Sequence, residues 1–202
     1  MTCLKKFFFV FSVVVMAYLA FAPPARSQDA TAEMKGSINA VIDILNNPAF
    51  QGPGKGKERR DAIMRIVRER FDFREMSKLA LGRYWTARTE AEKKEFSELF
   101  PKVLEGAYVD KVEKYNGETV AYEPEISFGD KALIRTRIIT KQGNRVPVDY
   151  RVMKEAKGWM VYDVVIEGVS LINNYRSQFN DILSREPYPE FIKMLSEKVK
   201  GL

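Results

Sequence analysis

Along residues 30–47 the apolar positions Met34, Ile38, Val41, Ile42 and Leu45 recur every three to four residues, which predicts a one-faced helix closed by Pro48. Glycines and Pro53 predict a surface loop over 49–57, and a second helix follows over 58–70 with Ile63, Ile66 and Val67 inward. Asp72 is placed to cap a short helix carrying Phe73, Met76, Leu79 and Ala80, stopped by Gly82. Thr89-Glu90-Ala91-Glu92 spells a capping box, behind which Phe96, Leu99, Phe100, Val103, Leu104, Ala107, Tyr108 and Val112 form one wide apolar side. Pro101 removes a backbone donor from that helix and predicts a kink or a break near Leu99.

Past Gly117 the period changes from helical to alternating, and strands are expected at 119–126, 132–141, 145–154 and 158–167. Gln142-Gly143-Asn144 and Glu155-Ala156-Lys157 are short enough to make hairpins of the later strands. Val146, Val148, Tyr150 and Val152 alternate with Asp149, Arg151 and Met153, so one face points inward. On the last strand a strict period of two puts Met160, Tyr162, Val164 and Ile166 on one side and Trp159, Val161, Asp163 and Val165 on the other. A carboxylate in such company is costly without a donor, and Ser170, Asn173 or Arg176 of the next helix can supply one. Gly168 gives the sharp exit from the strand and Ser170 the cap of a helix carrying Leu171, Ile172, Tyr175, Phe179, Ile182 and Leu183. Pro187 and Pro189 precede a last helix with Phe191, Met194, Leu195 and Val199. Helices on both sides of a run of strands predict the α+β class, with a curved antiparallel four-stranded sheet wrapped by helices.

The first residues belong to a different kind of element. Lys5 and Lys6 precede an apolar run over 7–22, short for a membrane span, and the small residues Ala25 and Ser27 sit two apart, so residues 1–27 read as a secretory signal peptide cleaved after Ser27, with a retained anchor as the alternative. Residues 28–202 then form a single domain without cysteine, because Cys3 is the only one in the chain. An exported chain that folds by packing alone points to an oxidising compartment, most simply a bacterial periplasm. The formal charge of +6 loses Lys5, Lys6 and Arg26 and drops to +3, with acidic residues interspersed throughout. That balance gives no support to nucleic-acid binding, and nothing in the sequence demands more than a monomer.

Histidine is absent from the whole chain, which removes the commonest general base and a leading metal ligand. Gly52-Pro53-Gly54-Lys55-Gly56 lacks the strand-to-helix setting of a phosphate loop. Carboxylates remain: Asp163 or Asp149 in an apolar sheet can serve as the base of an exported isomerase or hydratase of cone fold, or each can be a structural acid satisfied by Arg or Ser, with Arg135, Arg137 or Arg151 as partners of Asp149. The positive signal is an excess of large, flexible apolar groups. At helical spacing such residues serve a core as readily as a ligand box, but a curved sheet under helices leaves a concave space suited to a hydrophobic ligand. The candidate lining takes Phe73, Met76, Leu81, Tyr84 and Trp85 from the first helical region and Phe96, Phe100, Leu104 and Tyr108 from the long helix. The sheet adds Val148, Tyr150, Val152, Met160, Val164 and Ile166, and the last turn adds Val169 and Ile172.

Phe71-Asp72-Phe73-Arg74-Glu75-Met76 leading to Leu81-Gly82-Arg83-Tyr84-Trp85, Val148-Asp149-Tyr150-Arg151, Tyr162-Asp163-Val164, Glu167-Gly168-Val169-Ser170 and Tyr175-Arg176-Ser177-Gln178-Phe179 together resemble the MlaC, or toluene-tolerance, family over nearly all of residues 28–202. The resemblance implies a cone-like α+β fold with an apolar cavity, related to the nuclear-transport-factor cone. It also implies a periplasmic phospholipid carrier that holds acyl tails between sheet and helices. Such a carrier shuttles lipid between an outer-membrane lipoprotein complex and an inner-membrane ABC transporter with an MCE domain, maintaining outer-membrane lipid asymmetry. Neither catalysis nor a cofactor is implied beyond the lipid cargo. A family branch linked to hopanoids is similar, which leaves a different lipid as the alternative cargo.

Overall fold

The computed structural model describes residues 29–115 and 117–201; the leader expected at 1–27 and the side chain of Val112 lie outside what it describes. Six helices and six strands follow in the order α1 (Ala30–Asn46), α2 (Gly56–Arg70), α3 (Phe73–Leu81), α4 (Glu90–Glu113), β1 (Thr119–Tyr122), β2 (Ile126–Phe128), β3 (Lys131–Ile139), β4 (Arg145–Glu155), β5 (Gly158–Ile166), β6 (Val169–Ser170), α5 (Leu171–Leu183) and α6 (Tyr188–Lys200). The helix starts are chemically explicit. The Asp29 carboxylate accepts from Thr31 N, that of Asp72 from Glu75 N, and the Ser170 hydroxyl from Asn173 N. Thr89 and Glu92 exchange side-chain bonds with each other's backbone N–H groups at 2.8 and 3.2 Å, closing the capping box.

The strands form one open antiparallel sheet in the order β1-β3-β4-β5-β6, with β2 also paired to β3. Six strands replace the expected four. The stretch expected as one strand over 119–126 is divided around Pro124, which has no N–H to give a ladder, and Val169-Ser170 folds back onto β5 after Glu167 and Gly168 take positive φ. A second departure concerns α4. It runs unbroken through Pro101, so the expected break does not occur. Phe96 and Phe100 before the proline and Val103 and Leu104 after it are buried in one helix core, and that shared burial holds the helix together across the missing bond.

The third departure changes which residues share a face. In the β4–β5 ladder Arg151 pairs with Asp163 while Val152 pairs with Val161, leaving Tyr162 as the extra residue of a bulge. Trp159 and Val161 therefore join Val164 and Ile166 on the inner face, opposite Val152, Tyr150 and Val148. Met160, expected beside Val164, pairs with Met153 on the other face instead. In α6, Ile192 is buried and Met194 is exposed, so the buried stripe there is rotated from the one expected.

Candidate functional site

Two apolar clusters divide the residues that spacing alone assigned to a single lining. The first lies among helices α3 to α6 and contains Met76, Leu81, Trp85, Phe96, Phe100, Leu104 and Ile172, with Phe73 and Tyr108 packed on its margin. Its centre is a solid ring stack. Phe96, Phe100, Phe179 and Phe191 pack with centroids 5.0–5.9 Å apart, mostly edge to face, and Phe96, Phe100 and Phe191 are sealed at 0% exposure. The second cluster is the inner sheet face, where Val148, Val152 and Val164, with Tyr150 and Ile166 beside them, meet Ala30 and Met34 of α1. Phe71 packs against both clusters, and its bridge to Val161 sets the entry to α3.

Three of the candidates fall elsewhere. Tyr84 turns outward, where Arg83 lies 5.0 Å over its ring and donates to its hydroxyl at 3.0 Å. Val169 is 61% exposed on the two-residue edge strand β6. Met160 is buried, but on the far face of the sheet. Conversely, Tyr122, Ile138 and Val146 join the inner face although they were not among the candidates, and the register explains why: Tyr122 pairs with Thr136, which pairs with Val148, while Ile138 pairs with Val146.

Burial changes along this inner face. The row Ala132, Val152 and Val161 is closed, covered by the α1 residues of the same cluster, whereas Tyr122, Ile138, Val146, Tyr150 and Ile166 are only half-buried. Ile38 of α1, packed on the same cluster, is half-buried too, as are Val41 and Ile42 further along that helix. Tyr150 is half-buried in this row, and burial, helped by neighbouring Tyr122, drives its hydroxyl pKa far above the ordinary value. Thr136, in the same apolar face, is buried but donates its hydroxyl to the Val148 carbonyl, so it adds no loose polarity.

The carboxylates take structural positions. Asp163 is 2% exposed and accepts from Arg151 Nη1 at 2.8 Å, Ser170 Oγ at 2.6 Å and Ile172 N at 3.0 Å. Of the three donors expected from the next helix only Ser170 is used; Arg176 Nε donates instead to the Leu79 carbonyl at 2.6 Å, tying α5 to α3. Asp149 pairs with Arg137 at 3.2 Å on the half-buried outer face. A clamp that spacing did not reveal joins α1, α2 and β5: Arg70 Nη1 meets Glu33 Oε2 at 2.6 Å and the Trp159 carbonyl at 2.8 Å, and Trp159 N donates to the same carboxylate at 3.1 Å. Gly158 is required beside it, since its φ is +116° and an added Cβ would stand 2.6 Å from Glu33 Oε2.

A polar surface pocket of about 260 Å³ lies at the start of α3, lined by Asp72, Arg74, Glu75, Lys78 and Trp85. Its four charged walls suit no hydrocarbon chain. Among the described residues no group of three acidic or sulfur ligands is placed to hold a metal ion, and no helix is long and apolar enough to cross a membrane.

Comparison with known proteins agrees with this geometry. The family model described as MlaC protein matches residues 35–197. The intermembrane phospholipid transport system binding protein MlaC of Haemophilus influenzae is 23% identical over 203 residues, spanning 96% of this chain and 93% of its own. The toluene tolerance protein ttg2D of Pseudomonas putida is 25% identical over 175 residues, spanning 85% and 77%. A solved phospholipid-binding protein from Ralstonia solanacearum, in complex with a phospholipid, superposes with a TM-score of 0.77 at 28% identity, covering 86% of this chain and 98% of that one.

Proposed function

Because this chain belongs to the MlaC family, we propose that it is a periplasmic phospholipid carrier, holding acyl chains in the hollow between the inner sheet face and α1. The observation that carries this reading is the apolar lane of the inner sheet face, where Tyr150 and Ile166 stay half-buried beside the buried Val148 and Val164. In it the acyl chains touch the sheet, while Met76, Leu81, Trp85, Phe96 and Phe100 form the helix core that backs the hollow. The intermembrane and phospholipid-bound character of the relatives supports the reading.

The physics of carriage fits such a site. Burying a methylene from water is worth about 0.8 kcal/mol, so two tails of roughly sixteen carbons represent on the order of 25 kcal/mol relative to water. A lipid leaving a bilayer is already shielded, so the carrier need only match that environment, and release follows from a partner that alters the hollow. No cofactor and no catalytic group enter this scheme. Asp163, the acid that an isomerase would use, already accepts three hydrogen bonds. We place the mature chain, residues 28–202, as a monomer between an outer-membrane lipoprotein complex and an inner-membrane transporter bearing an MCE domain. There it serves outer-membrane lipid asymmetry after its leader is removed. A vesicle assay tests the carriage. Added protein should speed transfer of labelled phospholipid from donor to acceptor vesicles in proportion to its concentration, and transfer at the spontaneous rate would contradict the reading.

A further inference from the structure

Among the fully buried side-chain polar atoms described on the inner sheet face, one has no partner. Thr136 gives its hydroxyl to the Val148 carbonyl, but in the adjacent position across the ladder the Tyr122 hydroxyl oxygen is buried with no hydrogen-bond partner. A phenol shut away from water without an acceptor is rarely left standing in a protein interior unless something absent from the chain supplies one. The ring is well held: it packs on the sheet cluster, and the Lys35 ammonium of α1 stands 5.7 Å over it. Tyr150, one strand beyond Thr136's, lies close enough for Tyr122 to add to the cost of ionising it, and burial raises the pKa of Tyr122 itself. Both therefore remain neutral donors at physiological pH.

We propose that Tyr122 is an ester-reading site of the cargo cavity, its hydroxyl donating to an acyl-ester carbonyl oxygen of a bound glycerolipid. This rests on the lipid-carrier reading and adds a polar register to it: the tails lie along Val148, Tyr150 and Ile166, and the glycerol end is held at β1. A carbonyl fits better than a phosphate oxygen at this atom. A carbonyl brings no charge to desolvate beside so buried a hydroxyl, and the Lys35 ammonium sits at the ring face rather than at the hydroxyl. Lys35 is then free to meet the phosphate further out.

The test compares delipidated wild type and Tyr122→Phe, both checked by circular dichroism, for affinity toward three probes. These are a diester phosphatidylethanolamine, its ether-linked analogue with the same chains and headgroup, and a diacylglycerol with carbonyls but no phosphate. One neutral hydrogen bond is worth about a fivefold change in affinity. Wild type should hold the diester about fivefold more tightly than the ether lipid, and Tyr122→Phe should erase that preference and weaken the diacylglycerol by the same factor while leaving the ether lipid unchanged. A variant that keeps the full ester preference overturns the proposal, as does one weakened only toward the two phosphate-bearing lipids, which would assign the hydroxyl to the phosphate. Failure of the wild type to bind any of the three would instead remove the carrier reading, and this inference with it.

Discussion

Asp163 sits where an acid is least expected and is kept there by three donors from two directions. Replacing it with alanine leaves Arg151, Ser170 Oγ and the Ile172 N–H of α5 without their acceptor, and should cost roughly 2–4 kcal/mol in a denaturant titration. Lipid content per folded molecule should stay unchanged, because Asp163 lies on the sheet face opposite the hollow. Tyr188 gives a prediction in alkali. Its hydroxyl donates to the Glu92 carbonyl at 3.1 Å, and burial, with Glu92 and Glu95 adding, pushes its pKa up to about 12. The neutral form is thus favoured in the folded state, so its contribution is complete below about pH 10, where the unfolded phenol begins to ionise, and is lost as the pH rises toward 12. Thermal melts from pH 9 to 12 should show Tyr188→Phe losing less stability than wild type. Glu125 behaves in the opposite sense. Although burial opposes ionisation, a proton that the pair keeps on Asp29 and bonds from Ser127 and Thr31 hold its carboxyl down to about 2, so the tie between α1 and the β1–β2 junction should persist through mild acid and weaken only as the pH falls from about 4.5 toward 2.

The elements whose ends are written in local chemistry were legible from the sequence. Pro48 closes α1, Asp72 and Ser170 cap α3 and α5, and Thr89 with Glu92 opens α4, because each works within three or four residues of itself. What was not legible depends on another strand or helix. The bulge at Tyr162 exists only against the register of β4, and it moved Met160 off the inner face and brought Trp159 and Val161 onto it. The Glu33–Arg70 clamp joins residues 37 apart. Likewise, helical spacing marks Phe96 and Phe100 as inward without saying whether they meet α5 and α6 or the sheet; the ring contacts decide for the helices. Gly158→Ala tests the clamp, since a positive φ and a carboxylate 2.6 Å from the new carbon should together cost about 2 kcal/mol or more by chemical denaturation.

As a whole, the molecule holds one solid apolar cluster and one that loosens at one end. A solid aromatic core among α3 to α6 fixes the helices, while the opposite cluster is closed at the α1 start and loosens toward Tyr122, Ile138, Tyr150 and Ile166. A binding protein gains from that division, because side chains that fill one another's gaps cannot also make room for a ligand. Adding bulk beside the loose end with Val148→Trp, at a buried position that pairs with Ile166, should therefore lower lipid occupancy several-fold while the circular dichroism spectrum stays close to wild type; unaltered occupancy would remove Val148 from the lining. The central claim is that the hollow carries phospholipid. Native mass spectrometry of protein purified from bacterial cells without added lipid measures this directly. The account predicts a mass excess of one diacyl phospholipid that solvent extraction removes and identifies, and a population consisting of the bare polypeptide alone would contradict it.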